Sequence, residues 1–269
     1  ALGLLLQHSP LRKVRFVSQL PLIVVALSLL AACSQTSTQR DERDPLEQFL
    51  LGESTTVQVE GASRVNGKES DRVRLQIHRL SDETLNGQRV HRTANSVKLF
   101  LADADDFEID LVSYVRIDDG AYTYVALGEL GFPPDWTDRN FIALTSPIQT
   151  GRTWSFDTST TPGHPDVSGH PVLNFTAVYL RTDAIVEIDS TPYRGCVVVQ
   201  AIGRGALPSP VACSDGMPIA TRVEQTTVST FCPGLGDVEN RILVRYGPST
   251  EDPCWESQSS ESAVRVVQE

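Results

Sequence analysis

From Thr55 to Tyr246 apolar side chains recur at every second position, and turn-forming residues break the run about every ten positions. A period of two puts alternate side chains on opposite faces of an extended strand, so each segment offers one apolar and one polar face. Thr55 to Glu60 alternates in this way, as does Arg72 to Leu80, where Val73, Leu75 and Ile77 oppose Arg72, Arg74 and Gln76. Tyr114 to Ile117 and Tyr122 to Val125 flank Asp119-Gly120, a pair that readily takes the positive φ angles of a tight hairpin turn. Further strands are expected at Val90 to Leu101, Phe141 to Thr145, Thr153 to Phe156, Val172 to Arg181, Ala184 to Ile188, Gly195 to Gly203, Ile219 to Phe231 and Val238 to Tyr246. No long amphipathic helix follows Cys33, which argues against Rossmann, helix-wrapped barrel and bundle folds. The expected fold is all-β and antiparallel. Because many strands in one sheet must curl or split, the expectation is a strongly curved sheet or incomplete β-barrel, with two similar β halves meeting near Pro133-Pro134 as the variant.

The chain ahead of this pattern has the layout of an export signal. Arg12, Lys13 and Arg15 precede the apolar run Val17 to Leu30. As a helix that run covers roughly 21 Å, well short of the ~30 Å of a bilayer core, so it does not suit a permanent span. Leu30-Ala31-Ala32-Cys33 then resembles the lipobox of bacterial lipoproteins. The resemblance implies removal of residues 1–32 and acylation of Cys33, with more than one acyl chain giving a stable anchor. Ser34 stands where an inner-membrane retention signal would resemble Asp, which implies the periplasmic face of the outer membrane. Ordinary signal-peptidase cleavage, leaving Cys33 as a plain thiol, is the competing reading. Residues 33–51 are expected to be a lipidated tether, since Ser34 to Pro45 has hardly an apolar side chain, with one helical turn over Leu46 to Leu51. A periplasmic β domain over 52–250 and a C-terminal tail over 251–269 complete the expected layout.

The chain carries 23 Lys and Arg against 34 Asp and Glu, a net charge of −11, and three of those cations lie in the leader. Such acidity lacks the basic stripe needed to neutralise phosphates, so nucleic acid is not an expected partner. The membrane, through the lipid, is. Cys33 aside, Cys196, Cys213, Cys232 and Cys254 remain, all in the last third of the chain. In an oxidising compartment an even count reads as two disulfides, with three pairings open. Zinc is the weaker reading, since no C-x-x-C spacing occurs and the histidines lie far off in sequence.

Several turn and hairpin motifs recur in a fixed order from about Gly61 to Gly247. They are Asn86-Gly87, Asp119-Gly120, Pro147-Ile-Gln-Thr-Gly-Arg-Thr-Trp154, Thr191-Pro192-Tyr-Arg-Gly195-Cys196 and Pro233-Gly-Leu-Gly236-Asp-Val238. This order resembles a group of bacterial envelope proteins with curved antiparallel sheets similar to those of periplasmic lipoprotein carriers. The resemblance implies a concave face able to take an apolar ligand. The chain departs from the group in its extra cysteines and in the Pro-rich insertion around Thr161 to Pro171. On the residues alone, Trp154 reads as a core aromatic after a tight turn, and Gly234 and Gly236 as turn residues rather than a phosphate cradle.

Searches for catalytic constellations return little. Gly-x-Ser-x-Gly is absent from the sequence. His78 and His91 sit on expected strands among charged residues and read as surface or cross-strand residues. His164-Pro-Asp166 with His170 is the one local group that could meet in a loop, but it matches no zinc signature and reads better as a Pro-Gly-rich loop. The run Asp103, Asp105, Asp106, Glu108, Asp110 fails as a calcium loop, because Phe107 and Glu108 fall where a ligand and a glycine are needed. No catalytic residue, cofactor or metal is therefore expected. The leading expectation is a lipid-anchored envelope protein with a structural or binding role, whose partner is an apolar ligand or another envelope protein. A carrier or sensor of an acyl chain, and a hydrolase built on His164, Asp166 and His170, are the alternatives.

Overall fold

The computed structural model describes residues 44–53, 55–65, 68–85, 87–101, 105–130, 141–157, 173–211, 220–246 and 256–267. Within them run β1 (Thr56–Val65), β2 (Lys68–Leu85), β3 (Gln88–Phe100), β4 (Phe107–Asp118), β5 (Ala121–Glu129) and β6 (Phe141–Thr145). A second set follows: β7 (Thr153–Asp157), β8 (Asn174–Ile188), β9 (Thr191–Val211), β10 (Ala220–Cys232), β11 (Gly236–Tyr246) and β12 (Glu256–Val267). All twelve belong to one antiparallel sheet, ordered β6-β5-β4-β3-β2-β1-β12-β11-β10-β9-β8-β7. Two six-stranded meanders are thus sewn together along β1 and β12, as the expected all-β curved sheet requires. Asp119 and Gly120 make the β4–β5 hairpin with φ angles of 48° and 69°, the left-handed conformations that a tight turn demands.

Register shifts bend the sheet. They fall between Leu80 and Glu83 in β2, between Thr230 and Phe231 in β10, and from Tyr179 to Val186 in β8. Each adds local twist and turns the strand. The bends bring the two free edges, β6 and β7, together without a backbone ladder between them. Side chains span that gap: Tyr179 Oη on β8 donates to the Thr145 carbonyl at 2.7 Å and accepts from its amide at 2.8 Å, and Trp154 Nε1 on β7 donates to the Ile142 carbonyl at 3.0 Å. Burial, partly offset by those Thr145 bonds, pushes the Tyr179 phenol up to about 12. It therefore stays protonated, and a donor, at neutral pH. Trp154 is the core aromatic its position suggested, packed on Tyr179 with ring centroids 4.8 Å apart.

Three features differ from the sequence expectation. Residues 256–267, expected as tail, form β12, paired on one side with β1 and on the other with β11. Their run of Ser, Glu and Gln hides the strand, because the ladder is made by backbone groups that every residue carries. The halves join between β6 and β7, not near Pro133-Pro134, which falls outside the described residues in the link from β5 to β6. Val172 to Arg181 and Ala184 to Ile188 are parts of one bent strand, β8, of which Val172 lies outside the described residues.

The helical turn ahead of β1 is present as a 3₁₀ turn, Glu47–Phe49, but it belongs to the core rather than to a tether. Leu46, Phe49, Leu50 and Leu51 are all buried inside the curl. At about 2 kcal/mol per buried large apolar side chain, these four hold the turn in place. Asp44 starts the turn, its side chain accepting from the Leu46 amide at 2.9 Å and its carbonyl from the Glu47 amide at 2.9 Å. The β10–β11 turn closes over it through Gly234, whose amide donates to the Gln48 carbonyl at 3.3 Å. Leu51 joins an apolar cluster formed with β1 to β4 and the β8–β9 hairpin, whereas Leu46, Phe49 and Leu50 join a second, aromatic cluster. The turn is a plug that ties the two together.

In the aromatic cluster Tyr124, Phe141, Phe156 and Phe175 form a continuous run of ring contacts, ending in Phe156 and Phe175 stacked at 5.0 Å. Phe175 lies flat on Gly203, its partner across β8 and β9, where an added Cβ would come within 2.5 Å of the ring. The outer face carries rows of charge. Glu60, Arg74, Lys98 and Glu108 lie side by side across β1 to β4, and Arg204, Glu224 and Arg245 across β9 to β11. The same face also carries a third buried apolar cluster, Val90, Val112, Tyr114 and Val125, on β3 to β5.

Candidate functional site

Along β4 the inward positions run Leu111, Ser113, Val115, and along β11 they run Val238, Asn240, Ile242. The first of each triplet belongs to one apolar cluster and the last to the other, so Ser113 and Asn240 mark a polar tier between them. On β3 the same tier holds Asn95 and Thr93, and on β10 Ser229 and Thr227, all buried. Asn95 Nδ2 donates to Ser113 Oγ at 3.0 Å and to the Thr93 carbonyl at 3.2 Å. Asn240 Nδ2 donates to Ser229 Oγ at 2.9 Å and to Asp237 Oδ2 at 3.1 Å. Since Thr93 offers a carbonyl and Asp237 a carboxyl, each amide must turn its nitrogen towards them and its oxygen away.

Asp237 enters this tier through the bulge opposite Phe231 and is buried. Burial holds its carboxyl well above the ordinary carboxylate range, against the pull of hydrogen bonds from Asn240 and Ser229. Tyr124, on β5, stands six strands away in sheet order and is also buried. The Tyr124 phenol is pushed well above its usual value, first by burial and then by the neighbouring Tyr122 and Asp237. Tyr122 in turn rests edge-on against Phe231, the cross-strand partner of Asp237. Five buried side-chain oxygens here have no hydrogen-bond partner among the described residues: Thr93 Oγ1, Asn95 Oδ1, Tyr124 Oη, Asp237 Oδ1 and Asn240 Oδ1. Each such orphan costs about 1–3 kcal/mol, and buried polar groups are ordinarily satisfied.

A second polar group lies where the Leu80/Glu83 bulge lifts Asp82 over β3. Asp82 accepts from Arg89 Nη2 at 2.6 Å and from Arg79 Nη2 at 3.1 Å, and lies 3.0 Å from His91 Nδ1. His91 Nδ1 is also 3.2 Å from Arg79 Nη2, so it donates to Asp82 when that nitrogen is protonated and accepts from Arg79 when it is not. Burial raises the Asp82 carboxyl, but the hydrogen bonds from Arg89, His91 and Arg79 outweigh it and bring the group down to about 2. Burial dominates at His91 and lowers it, despite its bond to Asp82. Arg79 Nη1 also donates to the Leu51 carbonyl at 3.0 Å, which fastens the plug to β2. The chemistry of this group is structural.

His91, read as a surface or cross-strand residue, takes the second role: it is buried, and Asp82 and Arg79 of the neighbouring strand give its ring partners. His78 is exposed as expected, and so are Asp105, Asp106, Glu108 and Asp110. Cys196 and Cys232 are bridged, on the neighbouring strands β9 and β10. Cys213 and Cys254 lie outside the described residues, as do Cys33, Asp103, His164, Asp166 and His170. Among the described residues no group of three or more His, Cys, Asp or Glu is placed to hold a metal ion. The polar tier was not legible in advance, since an inward Asn or Ser in an alternating strand looks like an outward one; the bulge at Asp237 was its only trace.

No family model matches the chain. No curated protein matches it in sequence either. Among solved structures, a candidate lipoprotein of Parabacteroides distasonis is 10% identical with a TM-score of 0.38, covering 81% of this chain and 98% of that one. A candidate exported protein of Bacteroides fragilis with a YmcC-like fold is also 10% identical, with a TM-score of 0.36 and coverage of 81% and 97%. TM-scores this low mark a loose similarity, and what this chain does must follow from its own residues.

Proposed function

We propose that the protein is a lipid-anchored component of the bacterial envelope, held at the periplasmic face of the outer membrane through Cys33, with its β body in the aqueous phase in a structural or binding role. The observation that carries this reading is the Cys196–Cys232 bridge, which suits an oxidising compartment and stands in the same chain as a leader ending in a lipobox. The charged rows on the outer strands fit attachment by a lipid rather than by the sheet. From Cys33 to Asp44 the chain has a reach of about 40 Å at most, after which it enters the core as the plug. The body is thereby kept close to its membrane. Metabolic labelling with a fatty-acid probe tests the proposal: label on the wild-type chain and none on Cys33→Ala, with the variant released to the soluble fraction, is expected. An unlabelled wild type that fractionates like Cys33→Ala would remove the basis for the anchor.

The acyl-carrier alternative gains nothing from the interior, where rings in mutual contact occupy the aromatic cluster and an acyl chain would have to displace them.

A further inference from the structure

The plug stands outside the twelve-stranded ladder, and much of its backbone is satisfied from within. The Glu47 amide donates to the Asp44 carbonyl at 2.9 Å, the Phe49 amide to the Leu46 carbonyl at 3.0 Å and the Leu50 amide to the Glu47 carbonyl at 3.1 Å, while Asp44 Oδ1 caps the Leu46 amide at 2.9 Å. The body supplies donors to the plug's carbonyls. The Gly234 amide, in the β10–β11 turn, reaches the Gln48 carbonyl at 3.3 Å, and Arg79 Nη1, on β2, reaches the Leu51 carbonyl at 3.0 Å. These two donors come from the two halves of the molecule and meet carbonyls three residues apart, so they follow the path of a backbone whatever its side chains. Selection by side chain is left to apolar burial: Leu46, Phe49 and Leu50 enter the aromatic cluster and Leu51 the other, each no more than 3% exposed. Main-chain bonds for affinity and apolar seats for specificity are how grooves recognise peptides.

We infer that the seat of the plug is a peptide-binding site for a short apolar segment of the pattern Leu-x-x-Phe-Leu-Leu, held closed in this structure by the chain's own Leu46 to Leu51. Gly52 to Thr55 joins that occupant to β1 through one turn, in which the Thr55 amide donates to the Gly52 carbonyl at 3.0 Å. So short a link gives the occupant an effective concentration in roughly the millimolar range, which keeps out any peptide that binds more loosely. Withdrawal of the plug opens the seat, and the same segment of a second copy then fits it, since it carries the same side chains and the same carbonyls. The site depends on the plug and the sheet alone, and not on acylation of Cys33.

The test uses the full chain carrying Leu46→Ala/Phe49→Ala, which vacates the seat, with a synthetic peptide of residues 44–53 as the probe. At a hundredfold excess over its dissociation constant the peptide is expected to raise the variant's melting temperature by about 5–10 °C and to slow hydrogen exchange both in β2 and in the β10–β11 turn. The same peptide with Phe49→Ala binds about a hundredfold more weakly. The wild-type chain, whose seat is filled, shows no such rise. No rise in the variant, a rise given equally by the Phe49→Ala peptide, or one that is as large in wild type, each overturns the inference. Should the variant fail to fold, a protease site inserted after the exposed Glu53 of the wild-type chain decides. After cutting, the amino-terminal fragment is expected to stay with the body and to exchange with labelled peptide. A fragment that does not exchange, one that leaves without the peptide taking its place, or a body that unfolds on cutting overturns the site.

Discussion

In the first six strands, neighbours are laced by ion pairs: Glu60 with Arg74, Asp82 with Arg79, Arg89 and His91, Glu83 with Arg92, and Lys98 with Glu108. In the last six, Arg204 pairs with Glu224, and a covalent bridge joins β9 to β10. Both halves use the same meander and face the same interior, yet the second adds a covalent bridge whose presence depends on redox state. Similar topology does not imply similar vulnerability.

The largest way to break the comparison is through the bridge. Cross-linking positions 36 residues apart constrains the unfolded chain by about 3–4 kcal/mol, so Cys196→Ser/Cys232→Ser should lose that much in urea unfolding, and a reductant should reproduce the loss in wild type but not in the variant. Phe49→Ala, which guts the plug, should cost about 3 kcal/mol; hydrogen exchange should then speed up in both halves, because the plug packs between them. If only one half loosens, the plug is not the common tie. Gly203→Ala should cost about 2 kcal/mol by driving a methyl into the Phe175 ring, with protection lost around β8 and β9 and not around β2 and β3.

pH separates the halves more finely. Asp82 is depressed to about 2, so its contribution is present above the unfolded carboxylate value of roughly 4 and is lost as pH falls towards 2. Discounted for its partial exposure, that is about 1–2 kcal/mol, and Asp82→Asn should remove this acid dependence. His91 acts in the same direction: its lowered value gives stability above about pH 6.5 that fades as pH falls through the folded value. Asp237 is raised instead, so its contribution is complete at low pH and is lost as pH rises through its folded value. Acid should therefore loosen β2 and β3, while rising pH loosens β10 and β11. The smallest effect belongs to the exposed pair Arg74 and Glu60, where Arg74→Ala should change stability by about 0.5 kcal/mol or less. A larger change would mean that the outer rows act as a network.

How much of this was legible in the sequence depended on whether a residue's face could be read from its neighbours. Alternation located eleven of the twelve strands because Val73, Leu75 and Ile77, or Val238, Ile242 and Val244, announce an inward face. Asp119-Gly120 announced its hairpin through the backbone shape it requires. β12 was invisible because its pairing is carried by backbone groups between two strands far away in sequence. The plug was seen as a turn but not as core, since Leu46, Phe49 and Leu50 follow a polar stretch and nothing local says what they pack against. Asn95, Asn240 and Asp237 carry the polar tier against the alternation that revealed everything else, so a pattern rule assigns them wrongly for the same reason that it succeeds nearby.

Because β12 lies between β1 and β11, the sheet has no complete form until its last strand is available. A chain emerging from its amino end can assemble β1 to β6 and β7 to β11 as local hairpins, but β1 and β11 then present bare edges of the kind that capture other chains. Final closure pairs segments some 200 residues apart, which makes it a slow event by the ordinary dependence of rate on contact separation. Synthesis from the amino end would thus deliver an open, adhesive intermediate, and a frameshift or proteolytic nick ahead of Glu256 would leave it open for good.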